Sequence, residues 1–309
     1  MMRLIFMLIL IFIALWTDSR AQDTISMSSE DLELMQEYED TIGVLSFAIL
    51  RDTSAVHRFA SCKTMIPLLV RALKLRNSFH YTFPQLDGLS FQYPADSSFR
   101  IITWQLFVDD NEYRYYGAIQ MNTPELELFP LIDRSNDILN PETATLSNEN
   151  WYGALYYRIK GFEDERGKAY LLFGLDGYSF FRRRKVVDVL RFENGKPVFG
   201  QEVFEAQMAS DTSIWQHRIV IEYGAQASVH VNYDEGLGLV FFDHLIPYEG
   251  PGSAGSVMVP DGSYEGYRFE EGRWLHVPKL FHQTQETPPR EMPILGEGQK
   301  KDLFGRKQK

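Results

Sequence analysis

The chain has a single cysteine, Cys62, in 309 residues. One thiol closes no intrachain disulfide, so the fold must stand on packing alone. The thiol itself reads as a small buried apolar group, not a reactive one. No Asn-x-Ser/Thr acceptor occurs, which fits a bacterial envelope better than a eukaryotic secretory route. Basic charge is short, with 31 Lys and Arg against 42 Asp and Glu. An acidic chain repels phosphate backbones, which argues against a nucleic-acid partner. There is no Gly-x-Ser-x-Gly elbow, P-loop, His-Glu-x-x-His or Cys-x-x-Cys. Before residue 283, Gly-x-Gly occurs only at Gly236–Gly238 and Gly250–Gly252, without the strand-to-helix setting of a nucleotide site. The expectation is therefore no cofactor and no bound metal.

Long apolar runs are absent except at the start. Leu4–Trp16 is an unbroken apolar run of 13 residues behind Arg3, and Ser19-Arg20-Ala21 offers small side chains before a cut at Gln22. That is the anatomy of a secretory signal peptide over residues 1–21. It is short of the roughly 17–25 residues a membrane-spanning helix needs. The expected mature chain carries 29 − 41 = −12, has no membrane span, and is exported to the periplasm or cell envelope.

Residues 22–77 read as a helical hairpin. Ser28 or Ser29 caps a first helix with Glu30, Asp31 and Glu33 in its first turn, where the helix dipole favours negative charge. Leu32, Met35, Tyr38, Ile42, Leu45 and Ile49 recur at helical spacing. Asp52-Thr53-Ser54 breaks and recaps the chain. Val56, Phe59, Cys62, Ile66, Leu69, Val70 and Leu73 mark a second helix, with a kink or restart expected at Pro67. Residues 22–50 hold seven acidic and no basic residues, and residues 51–76 hold six basic and one acidic. Antiparallel packing with attracting flanks is expected.

After Asn77 the texture changes to segments of four to ten residues rich in Phe, Tyr, Val and Ile, separated by short turn clusters. Eleven strands are expected between Leu89 and Val277. Tight turns make neighbours antiparallel, so residues 78–282 read as an antiparallel meander, barrel- or propeller-like. The fold class is mainly β with an N-terminal α-helical hairpin. The intervals Leu131–Asn150 and Gln201–Gln216 read as longer polar links, and Gly250–Ser256 as a flexible loop. Arg182-Arg183-Arg184-Lys185 reads as a charged sheet edge that discourages pairing. Residues 283–309 end in Lys300, Lys301, Arg306, Lys307 and Lys309, and are expected to form a disordered basic tail.

One stretch gathers polar groups: VNYDEGLGLVFFDHLIP, Val231–Pro247. With Asp234–Gly238 as the turn and Tyr233 opposite Leu239, His230, Asn232 and His244 share one face and Asp243 lies on the other. Two imidazoles need a third ligand to hold a metal, and this register supplies none. A slip of one residue exchanges the faces and brings Asp243 beside His230. His230, Asn232, Asp243 and His244 are the candidate ligand-facing residues. The competing account gives Asp234 the turn, and Asp243 and His244 the strand end. Acid–base pairs such as Asp176 and Glu222 can be drawn from any chain this acidic, and no catalytic residue is singled out.

The segments SFRIITWQLF, RIVIEYGAQASVHVNYDEGLGLVFFDHLIP and DGSYEGYRFEEGRW together resemble a family of uncharacterised exported bacterial envelope proteins, across about Phe79 to Val277. The resemblance implies export and a β-rich body, and carries no activity. The functional expectation is a non-enzymatic envelope module that binds a protein or polymer. The alternative is a hydrolase acting on an envelope glycan or peptide through the Asp234–His244 region. A third role gives the helical hairpin a docking surface, with its acidic face exposed.

Overall fold

The computed structural model describes residues 26–206, 214–249 and 255–280. The expected signal peptide, the basic tail, and parts of the loops around residues 210 and 252 lie outside the described residues. Strands hold 47% of the described residues and helices 21%, so the protein is mainly β.

Helix α1 spans Ser29–Arg51 and α2 spans Ala55–Leu73. The Ser28 hydroxyl accepts the Asp31 N–H at 3.1 Å and caps α1. The buried stripe of α1 is Met35, Glu39, Ile42, Ser46 and Ile49, and Leu32 is exposed. The buried stripe of α2 is Arg58, Cys62, Met65, Leu69, Ala72 and Leu73, while Val56 and Phe59 face out. Helix α2 runs through Pro67 without a restart. Pro67 and Lys63 both lie on the exposed face, where water can take the carbonyl that proline leaves without a donor. The expected attraction between helices forms no ion pair among the described residues. Arg58 turns instead to the carbonyls of Asp52, Phe107 and Val108 at 2.6, 2.7 and 3.2 Å.

Three open sheets follow. Sheet 1 holds β1 (Ser90–Gln92), β2 (Phe99–Asp109), β3 (Glu112–Met121) and β4 (Leu128–Ile132), in that order. Sheet 2 holds β5 (Leu146–Ser147), β6 (Leu155–Asp164), β7 (Gly167–Asp176), β8 (Arg182–Glu193) and β9 (Lys196–Phe199), in the order β5-β9-β8-β7-β6. The remaining strands are β10 (Phe204–Ala206), β11 (Ile214–Gln216), β12 (Ile219–Gly224), β13 (Val231–Asp234), β14 (Leu239–Tyr248), β15 (Val257–Glu270) and β16 (Arg273–Val277). Strand β12 joins sheet 2 on β8, and the others form sheet 3 in the order β11-β10-β16-β15-β14-β13. All strand pairs are antiparallel except β10–β16.

The cores show how the layers stack. Met35, Ile42, Cys62 and Leu69 of the hairpin pack on Ile102, Trp104 and Leu106 of β2. On the other face of β2, Phe99 and Ile101 pack with Tyr156, Leu172, Val186 and Leu190 of sheet 2. The opposite face of sheet 2 presents Leu171, Phe173, Val187 and Val189 to Phe204, Val240, Phe242, Tyr267 and Trp274 of sheet 3. The order is hairpin, sheet 1, sheet 2, sheet 3. Two inner layers covered on both faces explain why β2, β7 and β8 read as near-continuous apolar runs instead of alternating. Cys62 is buried, and its sulfur receives the Trp104 indole N–H at 3.5 Å. Burial pushes its thiol pKa up.

The run Arg182–Lys185 is not a sheet edge. It pairs with β12 on one side, and Arg184 and Lys185 pair with β7 on the other. The β12 partner lies some forty residues downstream, and local charge carries no sign of it.

Candidate functional site

The hairpin β13–β14 is slipped by one residue from the expected register. Val231 faces Phe242, Tyr233 faces Val240 and Asp234 faces Leu239. Burial explains the slip. This pairing puts Val231, Tyr233, Val240 and Phe242 together against sheet 2, and a one-residue shift would turn part of that set outward. The turn is closed by Asp234, whose side chain accepts the Leu237 N–H at 2.8 Å and whose carbonyl accepts that of Gly238 at 2.9 Å. Gly238 takes φ +67°, which a side chain would disfavour.

The candidate residues therefore part company. His230 meets Asp243: Asp243 Oδ2 accepts the His230 backbone N–H at 2.6 Å and lies 3.1 Å from Nδ1. The imidazole is exposed and the carboxylate buried. Asn232 takes Arg158 Nη1 on its amide oxygen at 2.7 Å. Glu235 extends the contact to Arg158 and Lys160 at 3.1 and 2.6 Å, tying the hairpin to β6. His244 shares no contact with His230. It sits at a bulge of β14, where the register against β15 jumps between Asp243 and Leu245.

The bulge swings His244 toward residues that sequence reading missed. Its Nδ1 contacts Glu265 Oε1. Glu265 Oε2 lies 2.8 Å from His276 Nε2, and Glu205 accepts the His276 backbone N–H at 3.0 Å. One buried carboxylate thus lies between two imidazoles drawn from β14 and β16. Bulges commonly re-aim a side chain in this way. No group of three or more His, Cys, Asp or Glu among the described residues is arranged as metal ligands.

A second polar constellation lies where β7 turns into β8. Asp176, the last residue of β7, is 4% exposed. It accepts the Tyr115 hydroxyl at 3.0 Å, the Tyr152 hydroxyl at 2.9 Å and the Tyr178 N–H at 2.9 Å. Burial raises its pKa against those hydrogen bonds, and burial also raises the tyrosines, with the Asp176 charge adding to the effect. Tyr178 holds φ +50°, a left-handed conformation uncommon outside glycine and asparagine. The guanidinium of Arg184 lies 3.4 Å from the centre of its ring. Arg184 also reaches Tyr152 Oη at 3.3 Å and Glu222 Oε2 at 2.9 Å, and Arg182 takes Glu222 Oε1 at 2.7 Å. Burial alone would raise Glu222, but the two arginines outweigh it and hold its pKa low.

Tyr152, Tyr178, Arg184 and Glu222 face a cleft of about 420 Å³, within the usual range for small-molecule sites. The loop from Ser135 to Glu142 forms the opposite wall. A further 60 Å³ void, also lined by Tyr178 and Arg184, leads to Asp176 and Tyr115. Tyr178 keeps 39% of its surface exposed and Leu139 keeps 92%. The cleft thus offers aromatic and apolar surface beside an arginine and hydroxyl, amide and carboxylate groups. Its one sequence signal was the turn Asp176-Gly177 before a basic run. Comparison with family models, with curated proteins and with solved structures gives no match.

Proposed function

We propose that the protein is an exported envelope module that binds a polar polymer, an envelope glycan, in the cleft beside Tyr178 and Arg184. One observation carries the choice of binding over hydrolysis. The two carboxylates beside Tyr178 and Arg184 are already engaged, Asp176 by three donors and Glu222 by two arginines. A general base needs a lone pair turned toward substrate, and both oxygens of each carboxylate have donors within the protein. Sugar rings are well matched to an exposed tyrosine edged by hydrogen-bonding groups. The strained backbone of Tyr178 supports the same site, since strain collects at ligand clamps.

The hydrolytic alternative draws on the carboxylate between His244 and His276. Glu265 is only 6% exposed and spends both oxygens on those imidazoles, which favours a structural bridge between strands. Co-sedimentation of the full mature chain with purified peptidoglycan, together with an assay for released fragments, tests the proposal. Saturable retention without products supports it. Product release that His244→Ala abolishes in a folded protein would replace it with the hydrolase. Fractionation of cells producing the whole chain tests export.

A further inference from the structure

The outer face of the helical hairpin carries a groove of about 440 Å³ between α1 and the turn before β1. Gly43 lines its floor. Val44, Phe47 and Leu50 line it from α1 and are 72%, 66% and 45% exposed. Asp40 and Asp87 also line the groove, and neither makes an ion pair with a described residue. Glu30, Glu33 and Glu37 of α1 likewise make no ion pair with a described residue.

Gly43 is a second and independent sign. Glycine in a helix interior destabilises the helix relative to alanine. Packing does not demand it here, because a Cβ at Gly43 would meet only Leu86, at an ordinary 3.7 Å. What the missing side chain does is keep the floor of the groove open.

An apolar groove with an acidic rim calls for an apolar anchor flanked by cations. The chain itself carries one. Lys300-Lys301-Asp302-Leu303-Phe304-Gly305-Arg306-Lys307-Gln308-Lys309 places Leu303 and Phe304 among five basic residues and one acidic, 5 − 1 = +4. We propose that this C-terminal segment docks in the α1 groove of its own chain, with Phe304 in the pocket over Gly43 and its lysines against Asp40 and Asp87. Reach permits it. Twenty-two residues lie between Leu280, whose N–H is bonded to the Tyr264 carbonyl, and Leu303. They span up to about 75 Å at roughly 3.3 Å per step. A body of about 240 residues has a radius of gyration of only about 18 Å.

Zero-length carbodiimide coupling of the full mature chain, mapped by mass spectrometry on a mixture of isotopically heavy and light protein, tests this. The expected links join Lys300 or Lys301 to Asp40 or Asp87 within one chain. Phe304→Ser should cut their yield about tenfold without moving the melting temperature, and Gly43→Leu should do the same by filling the pocket. Phe304→Ser decides the matter if Gly43→Leu fails to fold. Three results would overturn the proposal. They are links spread over carboxylates in proportion to their exposure, a yield indifferent to Phe304→Ser, and heavy–light links that put the tail of a second copy in the groove.

Discussion

The guanidinium of Arg184 lies over the ring of Tyr178, 3.4 Å from its centre, and holds that ring at the mouth of the cleft. Tyr178 keeps this place at the expense of an unfavourable backbone, φ +50°. Strain of this kind amounts to about 1–3 kcal/mol. Tyr178→Gly should therefore stabilise the protein or leave it unchanged, while glycan retention falls at least tenfold. Thermal melts and sedimentation on the same sample check both halves. A variant that loses stability by several kcal/mol would mean the tyrosine is a structural prop.

Asp188 and Arg218 form an ion pair at 2.9 Å with both side chains fully buried. Asp188 also accepts the Val189 N–H at 2.8 Å, and Arg218 donates to the Ala144 carbonyl at 3.4 Å. Removing one partner strands the other charge, so Asp188→Ala should cost about 3–5 kcal/mol. Urea unfolding of the variant measures it. A loss below about 1 kcal/mol would mean that water reaches Arg218.

Asp96 and Asp176 should bend the pH–stability curve in opposite directions. Burial works to raise Asp96, but hydrogen bonds from Lys168, Ser98 and Tyr170 outweigh it and lower its pKa to about 2. The unfolded chain then binds the proton more readily, so the stabilisation is fully present above about pH 4 and drains away toward pH 2. Asp176 is raised by burial. Its folded form holds the proton longer, so it takes stability away as the pH climbs above about 4 toward its raised value. Asp96→Asn should flatten the acid limb, and Asp176→Asn should flatten the decline above it. Denaturant midpoints across pH 2–7 (an experimental range of about five units) record both.

The slipped register has its own test. Asp243 accepts the His230 backbone N–H at 2.6 Å, so Asp243→Ala should cost about 1–2 kcal/mol. Asp243→Asn, which keeps an oxygen acceptor, should lose less than half of that. Equal losses would contradict the contact.

The hairpin completes a core. Ile102, Trp104 and Leu106 of β2 are buried under Met35, Ile42, Cys62 and Leu69. Deleting residues 22–76 should expose that face and leave an aggregating chain with no cooperative unfolding. A soluble remainder with a sharp transition would mark the hairpin as an appendage.

Periodicity and capping made both helices legible, and Ser28 does cap α1. The exposed positions of Leu32 and Val56 were not, because the face that is buried depends on where sheet 1 sits. The longer strands were legible from their aromatic and β-branched content. Strands β4, β5, β9, β10 and β11 were missed because they run two to five residues, and Pro130 and Pro197 argue against strand in two of them. Edge pairing tolerates such prolines, as in β4, which pairs only with β3. The candidate site was less legible still. His244 stood out beside Asp243, but Glu265 and His276 reach it only through a bulge and two strand pairings. Tyr178 and Arg184 are brought to one cleft by the turn between β7 and β8 and by β12, a pairing that no local pattern announces.

Calorimetric titration of residues 22–309 with a defined digest of peptidoglycan separates binding from hydrolysis at the Tyr178 cleft. Saturable heat with no chemical turnover is expected, reduced at least tenfold by Arg184→Ala and by Tyr178→Ala in proteins that melt cooperatively. Heat that these changes leave untouched, or a signal that decays as fragments are consumed, would contradict that expectation.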